Sequence, residues 1–128
     1  MATGTVAGQT YKKITVVDAL GDTWTISPFD INGNVVSEMV IACDTTVGKL
    51  TLNLPNIATL NNQWNTKITV IALTGATNDV DISAFVQVVP VIITNQIGSA
   101  TTLTLSADGQ TAELNAADDT TWYGVATL

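Results

Sequence analysis

Histidine and arginine are both absent from this 128-residue chain, and cysteine occurs once. Without histidine there is no Ser-His or Cys-His nucleophile pair and no imidazole ligand for zinc. Without arginine there is no bidentate clamp for phosphate. Four lysines against 11 acidic residues leave a net charge of −7. Nothing here supplies the basic surface that displaces counterions from nucleic acid, and anionic membrane surfaces are disfavoured for the same reason. Gly-x-Gly and P-loop patterns are also missing, which removes support for nucleotide binding. The lone Cys43 excludes an intrachain disulfide; within the apolar run Met39-Val-Ile-Ala-Cys43 it reads as a buried, inert thiol. No apolar run approaches the ~20 residues that span a bilayer. The longest candidate, Val86 to Ile93, is interrupted by Gln87 and Pro90. The opening residues carry neither the charged start nor the apolar core of a secretion signal. That predicts a protein made in a cytoplasm, leaving it, if at all, by another route such as release inside a larger particle.

What is present is apolar and β-branched. Hydrophobic residues make up 46% of the chain and charged residues only 12%, a balance that argues against intrinsic disorder. A chain of this length suits one domain and buries roughly two-thirds of its unfolded surface, enough to fold without disulfides. Residues 1–9 are small and polar, with Gly4 and Gly8, and read as a short flexible N-terminal arm ahead of a single domain over residues 10–128. Sparse charge points toward surface buried against partners.

No stretch shows a capped 3.6-residue period; nine or ten short strands at regular spacing predict an all-β fold, an antiparallel β-sandwich or jelly-roll-like domain. The clearest segment is Lys49 to Leu73. Leu50, Leu52 and Leu54 share one face, Thr51 and Asn53 the other, and Pro55 ends the strand. A polar loop, Asn56 to Asn65, then leads into a second strand, Thr66 to Leu73, so the stretch reads as a central hairpin. Asn32-Gly33 and Ser106-Ala-Asp-Gly109 are further hairpin signals. Val86 to Ile93 is apolar on both faces, and Pro90 demotes it to an edge strand or bulge. An apolar edge invites pairing with another chain. Val86, Val88, Val89, Val91 and Ile93 are therefore the candidate interface residues.

Chemistry has few places left. Asn78-Asp79-Val-Asp81 and Asn115-Ala-Ala-Asp118-Asp119 group oxygens in loops, but neither has the spacing of a known calcium loop, and Asp and Asn serve turns by bonding their own backbone. A glycosidase would need two carboxyls roughly 5–10 Å apart, and turn-borne acids without a cleft signature do not suggest one. Trp24 and Trp122 lie in strand patterns and read as core, whereas Trp64, in Asn61-Asn-Gln-Trp-Asn65, is the better surface candidate, with Asn62 beside it as a ligand or neighbour contact. The expectation is a non-enzymatic domain without metal or cofactor.

One resemblance adds to this. Leu50-x-Leu-x-Leu-Pro55, a ten-residue loop, Thr66-Lys-Ile-Thr-Val70, a glycine turn, a further strand, Leu105-Ser-Ala-Asp-Gly109 and finally Thr121-Trp-Tyr123 together resemble bacteriophage virion β-domains. Such domains occur in tail-fibre tips, head fibres and capsid decoration proteins. The likeness spans Leu50 to Val125 and departs in two ways. The last strand reads Trp122-Tyr-Gly-Val125 with no Asp-Gly turn immediately before it, and the chain has no heptad stalk, collagen-like repeat or glycine-rich shaft. The resemblance implies a homotrimer on the virion surface, assembled in the host cytoplasm, with the major capsid protein or other virion proteins as partners and no enzymatic activity. The missing shaft favours capsid decoration or a head-fibre subunit. The arm at 1–9 then suits strand addition to a capsid neighbour. The alternative is a host-glycan-binding fibre tip or carbohydrate-binding module working through Trp64.

Overall fold

The computed structural model describes residues 12–18, 23–27, 29, 36–46, 48–60, 66–73, 78–106, 109–116, 118 and 120–127. The N-terminal arm, the Asn32-Gly33 turn, Asn62 and Trp64 lie outside them. Among the described residues twelve strands follow one another: β1 (Lys12–Asp18), β2 (Thr23–Thr25), β3 (Glu38–Asp44), β4 (Leu50–Asn53), β5 (Lys67–Ala72), β6 (Val80–Ser83), β7 (Val86–Gln87), β8 (Ile93–Thr94), β9 (Gln96–Ile97), β10 (Thr102–Leu105), β11 (Thr111–Ala116) and β12 (Thr121–Thr127). A 3-10 turn, Ile57–Leu60, lies between β4 and β5.

The fold is all-β, as its β-branched, alternating segments predict, but its sheets are mixed rather than antiparallel. One sheet runs β1-β3-β5-β11-β12-β9, a second β10-β6-β4-β2, and β7 and β8 pair by themselves. Strands β1, β3 and β5 are mutually parallel, as are β2, β4 and β6. The first six strands thus alternate between the two sheets and wind as successive turns of a coil. The antiparallel pairs are β5–β11, β11–β12, β6–β10 and β7–β8.

This winding overturns two hairpins expected from sequence. Strands β4 and β5, bracketing the Lys49–Leu73 stretch, belong to different sheets, and so do β10 and β11 on either side of Ser106–Gly109. Each connection is an arch. A hairpin and an arch accept the same alternating pattern, because both bury every second residue. In a hairpin the inward side chains lie side by side; in an arch they come from different sheets. At the β10–β11 arch Gly109 takes φ +77° and its N–H donates to the Ala72 carbonyl at 3.1 Å, while Ala72 N–H donates to the Gln110 carbonyl at 2.9 Å. The arch is thereby tied to the end of β5, and only glycine adopts that backbone without penalty.

One buried cluster draws on both sheets. Met39, Ile41 and Cys43 of β3 and Ile68 and Val70 of β5 join Leu50 and Leu52 of β4 and Val80 and Ile82 of β6. Each such side chain contributes about 1.5–3 kcal/mol on leaving water. The loop read as polar enters this core too. Ile57 and Leu60 are fully buried, and Asn56 starts the 3-10 turn by accepting the Ala58 N–H on its side chain at 3.1 Å. Trp122 is fully buried and Trp24 packs, half-buried, against the cluster.

Gly124 in β12 faces Leu114 in β11. A Cβ there would stand 2.6 Å from Leu114 Cδ2 and 3.1 Å from the Glu113 carbonyl. Leu114 is fully buried and has little room to yield. Gly124→Ala is expected to cost about 1–3 kcal/mol, read from the urea unfolding midpoint; an unchanged midpoint would mean that Leu114 repacks freely.

Candidate functional site

From Ile82 through Ala107 the chain has no charged side chain. The fold turns the middle of that stretch outward. β7 and β8 pair antiparallel, Val86 opposite Thr94 and Gln87 opposite Ile93, leaving Val88 to Ile92 as the tip, with a cis Val89–Pro90 bond. The tip is apolar and open to solvent: Val88 is 64% exposed, Val89 77%, Val91 60% and Ile92 74%, with Val86 at 52% at the base. Among the described residues, the only other large apolar side chain so exposed is Tyr123.

The expected edge strand from Val86 to Ile93 is therefore a hairpin of two two-residue strands. Four of the five candidate interface residues, Val86, Val88, Val89 and Val91, lie on its surface. Ile93 is half-buried in β8, and Ile92, not among the five candidates, is exposed. Alternation could not decide between them because the run is apolar on both faces.

A groove of about 460 Å³ lies beside the hairpin base, floored by Ile26, Phe29, Pro55 and Phe85 and rimmed by Thr25, Ser27, Asn56, Thr59 and Gln87. Phe29 and Phe85 are the only phenylalanines in the chain. A smaller hollow of about 250 Å³ adjoins it, where Thr25, Asn53 and Ser83 meet Leu54, Ala84, Phe85 and Val86. The polar side of this hollow comes from the outer face of the second sheet, whose register aligns Thr25, Asn53, Ser83 and Thr102 in one row and Thr23, Thr51, Asp81 and Thr104 in the next. Sequence pattern marks Pro55 only as the end of a strand and does not mark Phe29 or Phe85, which line one groove once the chain is wound.

The hairpin is pinned at its base. Asn95, 2% exposed, donates its N–H to the Phe85 carbonyl at 2.9 Å, and its Oδ1 accepts the Ile57 N–H at 3.0 Å. One side chain thus links the hairpin to the start of the 3-10 turn.

The ionisable groups among the described residues sit elsewhere. Asp81 accepts from Lys49 Nζ at 2.7 Å and from Thr104 Oγ1 at 2.8 Å; the lysine, then the hydroxyl, hold its carboxyl below the ordinary range. Asp118 Oδ1 accepts the Thr120 and Thr121 N–H groups at 2.9 and 2.8 Å, and Oδ2 accepts the Tyr123 hydroxyl at 2.8 Å. Its pKa is lowered by those bonds, the Thr120 amide foremost. Asp44 is lowered by the Thr46 hydroxyl and amide, and Asn78 donates to the Thr45 carbonyl at 2.7 Å. These acids and amides serve turns and sheet contacts. Lys67 lies 2.7 Å from Glu113, which raises its pKa, and 3.9 Å from Glu38. Among the described residues no three Asp, Glu or Cys side chains gather as a metal site would require. Burial pushes the Cys43 thiol up to about 12 and keeps it from reacting as a thiolate at neutral pH.

These shifts give the direction in which the groups concerned change stability at the extremes of pH. The carboxylates, lowered on folding, contribute above their ordinary value of 3.8 and lose that contribution as pH falls through their folded values. Lys49 and Lys67, raised on folding, contribute below their ordinary 10.5 and lose it as pH rises past their folded values. The thermal midpoint is expected to stay flat between about pH 5 and 8 and to fall in acid. A midpoint that moves between pH 5 and 8 would require a titrating group that these contacts do not contain.

A scan of family models, a search of curated proteins and a search of solved structures each return no match to this chain.

Proposed function

We propose that this chain is a non-enzymatic structural subunit of a bacteriophage virion, a capsid decoration or head-fibre protein on the particle surface, working by contact. The observation that carries the reading is the uncharged hairpin tip, with Val88, Val89, Val91 and Ile92 exposed together. These four large aliphatic side chains, each at least 60% exposed, form one continuous run of the chain, and exposed apolar patches often mark interaction sites. The virion setting rests on the resemblance of the Leu50–Val125 segment, which also suggests a homotrimer bound to the major capsid protein. We read the two facing sheets as a sandwich wound in jelly-roll fashion. The test is direct: particles of the phage encoding the chain, purified on a density gradient, should contain it in fixed ratio to the capsid protein, and a reconstruction should place it on the outer surface. Its absence from purified particles would overturn the reading.

A second reading draws on the smaller hollow. Asn53 and Ser83 beside the Phe85 ring offer hydrogen bonds and an apolar face together, the combination that a sugar ring uses. Host-glycan recognition would show as glycan-array binding abolished by Asn53→Ala. An array without signal would remove it.

A further inference from the structure

We infer that the hollow and the groove together form one trough for a short, uncharged oligosaccharide. Its rings stack on Phe85 and Phe29, and its hydroxyls bond Asn53 and Ser83. This rests on the reading of the hollow as a glycan site and adds the class of glycan and a second aromatic ring.

Unspent hydrogen bonding points to a ligand. The outer face of the second sheet carries its two polar rows two residues apart along each strand. In one row Asp81 accepts from Lys49 Nζ at 2.7 Å and from Thr104 Oγ1 at 2.8 Å, so its carboxylate and that hydroxyl are occupied. In the other, no described residue bonds the side chains of Asn53 or Ser83, although both are half-buried and both line the hollow. A half-buried amide and hydroxyl without partners favour a ligand that brings hydrogen bonds of its own.

Shape and charge name its class. Hollow and groove share Thr25 and Phe85, so the polar wall and the aromatic floor belong to one depression, and volumes of about 250 and 460 Å³ suit a small ligand. Phe29 lines the groove beyond Phe85. A sugar ring has a C–H face for an aromatic ring and a hydroxyl edge for amides and hydroxyls, and this trough offers both partners. An acyl chain would cover Asn53 and Ser83 without pairing them, which is costly for polar groups leaving water. A peptide could not add here as a strand, because β4 and β6 are inner strands of the order β10-β6-β4-β2, already paired on both sides. No charged side chain lines either part, and the chain carries −7, so an acidic sugar would meet repulsion and find no cation.

A glycan array carrying neutral gluco-, galacto- and mannooligosaccharides beside sialylated and sulfated ones tests this, followed by calorimetric titration with the neutral oligosaccharide that binds best. Signal should come from neutral members, with an affinity that holds between about 50 and 500 mM salt. Phe29→Leu keeps apolar bulk but removes the aromatic face, and Ser83→Ala removes a hydroxyl. Each should weaken binding about three- to tenfold with an unchanged circular dichroism spectrum. Thr51→Val, in the neighbouring row, should leave the affinity unchanged. Signal confined to acidic glycans would overturn the inference. So would neutral binding that Phe29→Leu and Ser83→Ala both leave intact, or a loss with Thr51→Val as large as theirs. Any of these outcomes, with binding still lost in Asn53→Ala, spares the broader glycan reading. An array with no signal at all would end that reading and the inference with it.

Discussion

Trp122→Ala is expected to lower unfolding free energy by about 3–5 kcal/mol, the range for deleting a buried indole. Typical domains have only about 5–15 kcal/mol in total, so the variant should be partly unfolded at room temperature or close to it. Trp122 is fully buried in β12, opposite Ala116 of β11 on one side and Ile97 of β9 on the other. The small Ala116, itself fully buried, leaves space for the indole. The Trp122 carbonyl accepts the Gly98 N–H at 2.8 Å, so the strand also holds the turn after β9. The indole Nε1–H is buried without an acceptor among the described residues. An unpaired buried donor costs about 1–3 kcal/mol, which sets up a contrast. Trp122→Phe gives up bulk but sheds the unpaired N–H, so it should cost well under half as much as the alanine variant. Guanidinium unfolding followed by circular dichroism measures both. Equal losses for Phe and Ala would show that the aromatic bulk at this position contributes little.

Asn95→Ala is expected to cost about 1–3 kcal/mol, because it strands the Ile57 N–H in a buried setting. The effect should be local as well as global. Asn95 Oδ1 is the bond from the β8–β9 link to the 3-10 turn, and the neighbouring Asn95 N–H holds the Phe85 carbonyl where the hairpin departs. Hydrogen exchange should speed up at Ile57 and across the paired residues Val86 and Thr94, while β3 and β5 keep their protection up to the new global limit. Uniform acceleration over all strands would mean that Asn95 supports the core and has no special hold on the hairpin.

Strand positions were legible because each strand has one wet and one dry face. β3 reads half-buried and buried in strict alternation from Glu38 to Asp44, and β5 does the same from Lys67 to Ala72. Partners were not legible, since Leu50, Leu52 and Ile68 have the same periodicity whether their strands lie side by side or in opposite sheets. Asp-Gly at 108–109 marks a sharp change of direction, and a positive-φ glycine serves an arch as readily as a hairpin. The Asn56–Asn65 loop misled through composition: Ile57 and Leu60 sit among polar neighbours yet both are buried. At the candidate site the apolar run from Val86 to Ile93 was visible and its interruption at Pro90 was visible. That it folds back on itself, exposing Ile92 and withdrawing Ile93, depends on the pairing of Gln87 with Ile93. The groove draws on Phe85, directly before the hairpin, and on Pro55 and Phe29, 31 and 57 positions before Val86, and no local pattern joins them.

We propose the hairpin tip as a contact surface that takes no part in supporting the fold. Replacing Val88 to Ile92 with the dipeptide Asn-Gly tests it most directly, since a two-residue turn closes Gln87 onto Ile93 without changing their register. The thermal midpoint and the association state should be measured on the same sample. A midpoint within about 2 °C of the wild type together with loss of self-association is expected. A midpoint lowered by more than about 5 °C, or an oligomer that persists without the tip, would contradict it.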